Sequence, residues 1–335
     1  MRLKLTGIFI FSVAFAFCGC HRRSFGMTDD SEMIRINRFD SALLQWIESD
    51  SPVILAQIET RYAQMLEVLG KALFKTGPAD SSIFFDNLIN YYSEPALHAL
   101  YKDAVGFYSA GSIEMAGLTE ELSHGFARMK KLFPALQVPA VYMHVSGLQQ
   151  NIIVADSLLS CSIDKYMGSG YPLYEDFFYS YQRKSMIPER IAKDCLHVWL
   201  KSEYPYTGKE NVLLERMIYE GKIIYILTQT GKDCTFQNLL SLTDDEYKWC
   251  RQYESTLWTT IIERKHLYTP DIATTSNYFQ PAPATFISAE APGDLGYFIG
   301  YRIVEKYMKQ TRSTCEELMN NDDAQDILHK SKYKP

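Results

Sequence analysis

The segment from residue 136 to residue 162, LQVPAVYMHVSGLQQNIIVADSLLSCS, decides the fold class. Its first part lies between Pro134 and Gly147 and is rich in residues that favour strands, and the part from Asn151 to Ser162 continues in that style. We predict two or three adjacent strands here. Because the sequence on both sides has helical patterns, it predicts a mostly helical α+β domain with a small central sheet.

Helical periodicity flanks these strands. From Asp40 to about Gly125, apolar residues recur at spacings of three and four, and segments with proline divide the pattern into separate helices. After the strands, the sequence predicts helices starting at Pro188, running from about Val212 to Thr228, from Asp244 to about Arg264, and lastly from Gly296 to Lys309. No linker rich in Pro, Gly or Ser and no repeat interrupts the chain, so we predict one domain over residues 34–335.

The composition is that of an ordinary globular protein. The chain has 335 residues, 47% of them hydrophobic and 22% charged, which argues against disorder, collagen and a polytopic membrane protein. With 34 Lys and Arg against 40 Asp and Glu, the formal charge is −6, and there is no dense basic tract. We therefore expect no nucleic acid partner.

The first twenty residues are typical of a bacterial lipoprotein signal. Arg2 and Lys4 precede an apolar run that ends at Phe17, which is shorter than the about 20 residues a spanning helix needs. Gly19-Cys20 then resembles the lipobox, in which a small residue precedes the cysteine that is acylated. We predict a signal peptide over residues 1–19, lipidation of Cys20 by acyl chains such as palmitate, and a polar tether over residues 20–33. The alternative is an ordinary cleaved signal with incidental cysteines.

The lipid anchor predicts the compartment. Several acyl chains add about 0.8 kcal/mol per buried methylene and hold a domain firmly on a membrane. Position two of the mature chain is His21 rather than Asp, which in lipoprotein sorting implies the outer membrane, and we expect the periplasmic face in preference to the cell surface. Five widely spaced cysteines follow Cys20, a pattern of neither a disulfide scaffold nor a CxxC zinc site. One pair could bridge, but the sequence does not say which.

Several segments together resemble the gliding-motility lipoprotein GldB family of the Bacteroidetes. They are Ile36–Asp40, Leu132–Pro134 with Val138-Pro139, Ile163–Gly168, Met217–Lys222, Trp249-Cys250 with Glu254 and Trp258, Ala291–Gly300, and Ser331–Pro335. They occur in order along nearly the whole mature chain, and Cys20 supplies the lipidated cysteine of the family's pattern. The resemblance implies an envelope lipoprotein whose partners are other envelope proteins, among them gliding or secretion machinery.

The GldB family is in turn similar to predicted zinc proteases, which implies a zincin-like architecture. Such enzymes carry HExxH on one helix, with two His ligands and a general base, and take a third ligand from elsewhere. The corresponding stretch here is Lys193-Asp194-Cys195-Leu196-His197, and Glu220-Gly221 lies on the following helix. Because Lys193 brings an ammonium where a neutral nitrogen is required, we expect a degenerate site with no metal, no cofactor and no catalytic residue.

Two structural interpretations of this degenerate site remain open. At 100° per residue, Lys193 and His197 lie together, away from the apolar stripe of their helix. The residues Lys193, Asp194, His197 and Glu220 then form either a solvated helix surface or a charge-paired remnant of the cleft. In the second case the Lys193 ammonium pairs with Glu220 or Asp194.

Aromatic residues crowd the window from residue 171 to residue 181. Tyr and Trp are favoured at protein contacts, and aromatic rings also stack on sugars. We take Tyr174 and Phe178 as candidate partner-binding residues, with a buried hydrophobic cluster as the alternative. In the last predicted helix, Gly296 and Gly300 are spaced to let that helix pack close against a neighbour.

Taken together, the sequence predicts a non-enzymatic, lipid-anchored envelope protein that works through protein contacts. One alternative is a divergent envelope zinc metallopeptidase that uses His197 and Glu220. A second alternative is a lipoprotein that binds glycans or peptides through the aromatic window.

Overall fold

Four strands form one mixed sheet in the computed structural model, which describes residues 33–79, 81 and 83–335. The strands are β1 (Ile36–Asn37), β2 (Ala140–His144), β3 (Ile152–Ala155) and β4 (Leu158–Ser162). Their order in the sheet is β1-β2-β4-β3, with β1, β2 and β4 parallel and β3 antiparallel to β4. The adjacent strands predicted from sequence are confirmed as β2, β3 and β4, whereas β1 is too short to have a pattern of its own.

In the described part of the chain, six helices lie between β1 and β2, where the periodicity before residue 125 predicts helical structure. They are α1 (Phe39–Ser49), α2 (Pro52–Arg61), α3 (Ala63–Phe74), α4 (Phe84–Tyr92), α5 (Pro95–Phe107) and α6 (Ile113–Leu132). Proline starts α2 and α5, where its fixed φ suits the first helical position. Ser112 caps α6 by accepting a hydrogen bond from the Met115 amide.

Eleven helices follow the sheet within the described part of the chain. After a 3₁₀ turn at Ile163–Lys165 come α7 (Pro172–Phe177), α8 (Ser180–Arg183), α9 (Pro188–Glu203), α10 (Leu213–Leu227), α11 (Phe236–Leu239), α12 (Asp244–Gln252), α13 (Glu254–Glu263), α14 (Ile272–Asn277), α15 (Leu295–Thr311), α16 (Cys315–Asn320) and α17 (Ala324–Ser331). The predicted helices at α9, α10 and α15 are confirmed, and the α+β class with them.

Two helix predictions were wrong in detail. The helix predicted from Asp244 to Arg264 is divided at Tyr253, which separates α12 from α13. The helix ending near Lys309 is not the last one, because α16 and α17 follow it. Thr314 and Asp323 cap these two helices through their side chains, and such caps are a local signal that the apolar periodicity does not contain.

Helices α10 and α15 form the closest helix pair of the fold. A Cβ atom built on Gly221 would lie 2.3 Å from the carbonyl carbon of Gly300, and one built on Gly300 would lie 1.9 Å from the Met217 carbonyl oxygen. The two backbones therefore touch at Gly221 and Gly300. This confirms that Gly300 serves close packing; Gly296 meets the ring of Phe279 instead.

Strand β4 lies at the centre of the core. All five of its residues are buried, which fits a strand covered on both faces. Helix α9 packs against β3 and β4, and the Cys195 thiol of α9 contacts the Cys161 thiol of β4. The five cysteines of the described residues are free thiols.

Candidate functional site

Helix α9 carries a row of polar side chains along one face. Arg190, Asp194, His197 and Lys201 lie within about 60° of one another at 100° per residue. Helix α10 packs beside α9 and contributes Arg216 and Glu220. We call these six residues the polar seam.

Asp194 is held in place at one end of the polar seam. Its carboxylate pairs with the Arg190 guanidinium and accepts a hydrogen bond of 3.0 Å from the Tyr166 hydroxyl. Arg190 also donates to the main-chain carbonyls of Asn238 and Leu239. Asp194 therefore ties α9 to the segment after the sheet, and Arg190 ties α9 to α11.

Lys193 points away from the polar seam, towards α6. Its ammonium donates to the Glu189 carbonyl oxygen at 2.7 Å and lies 3.7 Å from the Glu121 carboxylate. The side chain is 7% exposed, so Lys193 does not lie on a solvated helix surface. The prediction that Lys193 pairs with Glu220 or Asp194 was wrong, because those two carboxylates have other cationic partners.

Glu220 is the centre of the polar seam. The residue is 0% exposed, and its Oε1 atom accepts from Lys201 Nζ at 2.9 Å and from Arg216 at 3.1 Å. Its Oε2 atom is buried and has no hydrogen-bond partner among the described residues. Two cations thus hold one oxygen of a carboxylate that would otherwise be a costly isolated buried charge.

His197 is a neutral imidazole in this setting. Burial, together with the positive charges of Lys201 and Arg190, lowers its pKa to about 3. The Nε2 atom is buried and has no hydrogen-bond partner among the described residues. A neutral imidazole with a free nitrogen retains the chemistry of a metal ligand, and His197 therefore keeps that chemistry.

The start of α15 faces the same region, which the sequence did not predict. Asp294 precedes α15 with φ of 60°, and burial raises the pKa of its carboxyl to about 7, against the opposing charges of Lys184 and Arg190. Burial also raises the pKa of Tyr297, and the charges of Glu220 and Asp294 raise it further. Asp294 and Tyr297 therefore lie close enough to the polar seam for its charges to affect their pKa values.

The donor set does not suit a catalytic zinc. Within residues 33–79, 81 and 83–335, there is no group of three or more His, Cys, Asp or Glu residues that could hold a metal ion. Of the four residues predicted for the degenerate site, Lys193 is a cation, and the carboxylates of Asp194 and Glu220 are paired with cations. His197 has a nitrogen without a partner among the described residues. A catalytic zinc needs three protein ligands and an open position.

The structure corrects the choice of residues in the aromatic window. Tyr174 is fully buried, and its hydroxyl donates to the Asp164 carbonyl at 2.5 Å and accepts from the Met167 amide at 3.1 Å. Phe178 is half-buried, with the Lys165 ammonium 4.3 Å from the centre of its ring. Phe177 and Tyr179 are exposed instead, at 66% and 72%. Tyr174 is therefore a core residue and cannot contact a partner.

Comparison with protein families gives one decisive match. The model of the family described as gliding motility protein GldB matches residues 27–335. The chain belongs to the GldB family. A comparison with curated proteins finds no match, and neither does one with solved structures. Membership of the GldB family connects the chain to gliding motility, and the zincin-like architecture stays a prediction.

The segments that carry the GldB resemblance have structural roles in this chain. In Ile163–Gly168, the buried Asp164 carboxylate accepts from the main-chain amides of Ser146 at 3.2 Å and Leu148 at 2.7 Å, which fixes the loop after β2. At the C-terminus, the Tyr333 hydroxyl donates to Glu254 at 3.0 Å. In this chain, Asp164 and Tyr333 therefore hold the structure together through these contacts.

The predicted signal peptide, Cys20 and nearly all of the tether lie outside the described residues. Among the helices of the described part, none is both long and apolar enough to cross a bilayer. The GldB family match indicates a lipoprotein of the cell envelope.

Proposed function

We propose that this GldB-family protein is a lipid-anchored accessory of gliding or secretion machinery that works through protein contacts and not by catalysis. In this proposal residues 1–19 are removed, Cys20 is acylated, and residues 20–33 tether the folded domain to the outer membrane. The domain faces the periplasm. Family membership and the Gly19-Cys20 sequence support this arrangement.

The ion pairs of Glu220 carry the non-catalytic part of the proposal. Lys201 and Arg216 both bind Glu220 Oε1, so Oε2 is the one oxygen of this carboxylate that is left for a metal. Two cations beside the site also repel a divalent metal ion. Together with Lys193 in place of a first histidine, this argues that the polar seam is a structural remnant.

Exposed aromatic residues support a role in protein contacts. Phe177 is the last residue of α7, and Tyr179 precedes α8; both are exposed. The Tyr179 ring stacks on Tyr181 with centroids 5.7 Å apart and an interplanar angle of 12°. We call Phe177, Tyr179 and Tyr181 the aromatic surface. The Tyr179 amide donates to Gln182 Oε1 at 2.9 Å, so the main chain beneath the rings is fixed. Rigid aromatic rings of this kind supply contact area at low entropic cost.

Site-specific crosslinking in cells tests the proposal. A photoreactive amino acid replaces Tyr179 in the full-length lipoprotein, and the captured protein is identified by mass spectrometry. The matched control carries the same group at Tyr268, which is 53% exposed and lies on a different part of the surface. We expect a motility or secretion component to be captured from position 179 and not from position 268.

A second variant shows whether the aromatic surface causes the capture. Phe177→Ala removes an exposed ring and leaves the core intact, so the circular dichroism spectrum and melting temperature should stay unchanged while capture from position 179 falls. Undiminished capture in Phe177→Ala, or equal capture from positions 179 and 268, would contradict the proposed role of this surface.

A further inference from the structure

A pocket of about 240 Å³ lies against α10. Its walls are the end of α9 with the loop at residues 204–208, and the loop between α16 and α17. The residues that matter for its chemistry are Glu203, Tyr204, Tyr206, Glu215, Tyr219 and Asp322. We call it the tyrosine pocket.

The tyrosine rings of this pocket are held in position. The Tyr206 hydroxyl donates to the Lys209 carbonyl at 2.9 Å, and the Tyr219 hydroxyl donates to the Tyr204 carbonyl at 2.9 Å. The centroids of the Tyr206 and Tyr219 rings are 4.9 Å apart. The pocket is therefore preformed, which lowers the entropic cost of binding.

The lining of the pocket is acidic. Glu203, Glu215 and Asp322 contribute carboxylates, and Lys222 is the one cationic side chain among the described residues that line it. The Lys222 ammonium is already engaged: it donates to the carbonyl oxygens of Met319 at 3.2 Å and Asn321 at 3.0 Å and lies 3.7 Å from Asp322. Its positive charge is thus compensated. The Glu215 carboxylate accepts from the Lys209 amide at 2.7 Å and lies 4.0 Å from the Lys209 ammonium, so Glu203 contributes most to the negative balance of the pocket.

Two helix ends add to this negative potential. Helix α9 ends at Glu203 and α16 ends at Asn320, and both residues line the pocket. The carbonyl groups at a helix C-terminus carry partial negative charge and favour nearby cations. Lys222 shows this directly, because its ammonium binds carbonyl oxygens at the end of α16.

The same rings already bind cations on surfaces outside the pocket. Lys201 Nζ lies 5.5 Å from the centre of the Tyr219 ring, and the Arg216 guanidinium lies 5.3 Å from the centre of the Tyr206 ring. Neither of these two residues lines the pocket. Tyrosine rings and carboxylates arranged around a cavity are suited to a cation and not to an anion.

We propose that the tyrosine pocket binds a lysine or arginine side chain of a partner protein. The volume accommodates a long aliphatic stem, the rings of Tyr204, Tyr206 and Tyr219 contact that stem and its charge, and Glu203 and Glu215 pair with the charged end. The proposal rests on the proposed function only in that the partner is a protein. The tyrosine pocket is then a second contact site, separate from the aromatic surface, and the group bound there is a cationic side chain.

Methyl NMR tests the proposal with defined probes. The mature, acylated chain in detergent micelles is labelled with ¹³C at the methionine methyl groups, and Met319, which lines the pocket, is assigned by Met319→Leu. The probes are acetyl-Gly-X-Gly-amide peptides in which X is Lys, Arg, Gln or Glu. We expect the Met319 methyl to shift in a saturable way with the Lys and Arg peptides alone, and the affinity to fall as salt is raised.

Variants at the rim identify the groups responsible. Glu203→Gln combined with Glu215→Gln keeps the size of both side chains and should weaken binding of the Lys peptide about tenfold. Glu263→Gln, at an exposed position of α13, is the matched control and should leave the affinity unchanged.

Three results would overturn the proposal. They are no shift of Met319 with the Lys and Arg peptides, an equal shift with the Gln peptide, or tighter binding of the Glu peptide. If the first of these results is accompanied by a shift with N-acetylglucosamine, the pocket is assigned to a sugar. Crosslinking from position 179 uses none of these residues, so failure here and failure of the proposed function are distinguishable.

Discussion

Lys201 and Glu220 form an ion pair of 2.9 Å that joins α9 to α10, with the carboxylate fully buried. Arg216 binds the same oxygen at 3.1 Å from within α10. The exposed fractions of the Lys201 and Arg216 side chains are 31% and 24%, so each cation also reaches water. Loss of these ion pairs therefore costs more free energy for the buried carboxylate than for the two partly exposed cations.

This asymmetry predicts an order of stability among variants. Removing both cations with Lys201→Met and Arg216→Met leaves an unpaired buried carboxylate and should lower the free energy of unfolding by about 3 kcal/mol or more. Glu220→Gln removes the buried charge, and because the two cations turn to water it should cost only about 1–2 kcal/mol. Urea unfolding of the wild type, the double Met variant and Glu220→Gln measures these two losses of stability. Equal losses would show that the pairing does not stabilise Glu220.

The backbone contact between Gly221 and Gly300 predicts a steric effect. Gly300→Ala places a methyl group 1.9 Å from the Met217 carbonyl oxygen, so α10 and α15 must separate, at a cost of about 1–3 kcal/mol. Gly117→Ala in α6 is the control, because a Cβ atom there meets nothing within 4 Å. That variant should gain about 0.5–1 kcal/mol from helix propensity. Thermal unfolding that shows the same change in both variants would contradict the close packing.

Asp294 predicts a pH dependence of stability. Its pKa is raised to about 7 in the folded protein from an ordinary value near 3.8, so the folded state favours the neutral carboxyl. The stability that Asp294 contributes is fully present below about pH 3.8 and is lost as the pH rises through about 7. Asp294→Asn does not titrate and tolerates positive φ, so its stability relative to the wild type should increase between pH 5 and pH 8. A stability difference that is the same at pH 5 and pH 8, by urea unfolding, would exclude this effect.

The helices of the polar seam could be predicted from sequence, but most of the polar seam's contacts could not. Pro188 and the apolar stripe of α9 define that helix locally, and the same holds for α10. The pairing of Glu220 with Lys201 depends on how α9 and α10 are brought together in three dimensions. No local pattern specifies that approach, and the zincin motif alone predicts Lys193 as a site residue.

The aromatic window shows a second limit of the sequence. Helix α7 has six residues, too few for a periodic pattern to separate its buried face from its exposed face. Tyr174 is buried with its hydroxyl satisfied: it donates to the Asp164 carbonyl and accepts from the Met167 amide. These partners lie ten and seven residues earlier in the chain. Phe177 lies only three residues later and is exposed. Residue type alone could not distinguish the two rings.

The proposed lipid anchor predicts a specific loss on mutation. Cys20→Ala removes the thiol that accepts the first acyl chain, so the protein should no longer incorporate an alkyne-labelled palmitate and should remain unprocessed. Cys18→Ala is the matched control and should be labelled like the wild type. Labelling that survives in Cys20→Ala would place the modification elsewhere and contradict the assigned anchor.

The zinc content of the mature, acylated chain tests most directly the claim that the polar seam is a structural remnant. The protein is purified without chelators, incubated with zinc, dialysed, and measured by mass spectrometry of the metal together with its His197→Ala variant. The ion pairs of Glu220 with Lys201 and Arg216 predict that neither protein retains stoichiometric zinc. One zinc ion per chain in the wild type, lost in His197→Ala, would contradict the account and favour a metallopeptidase.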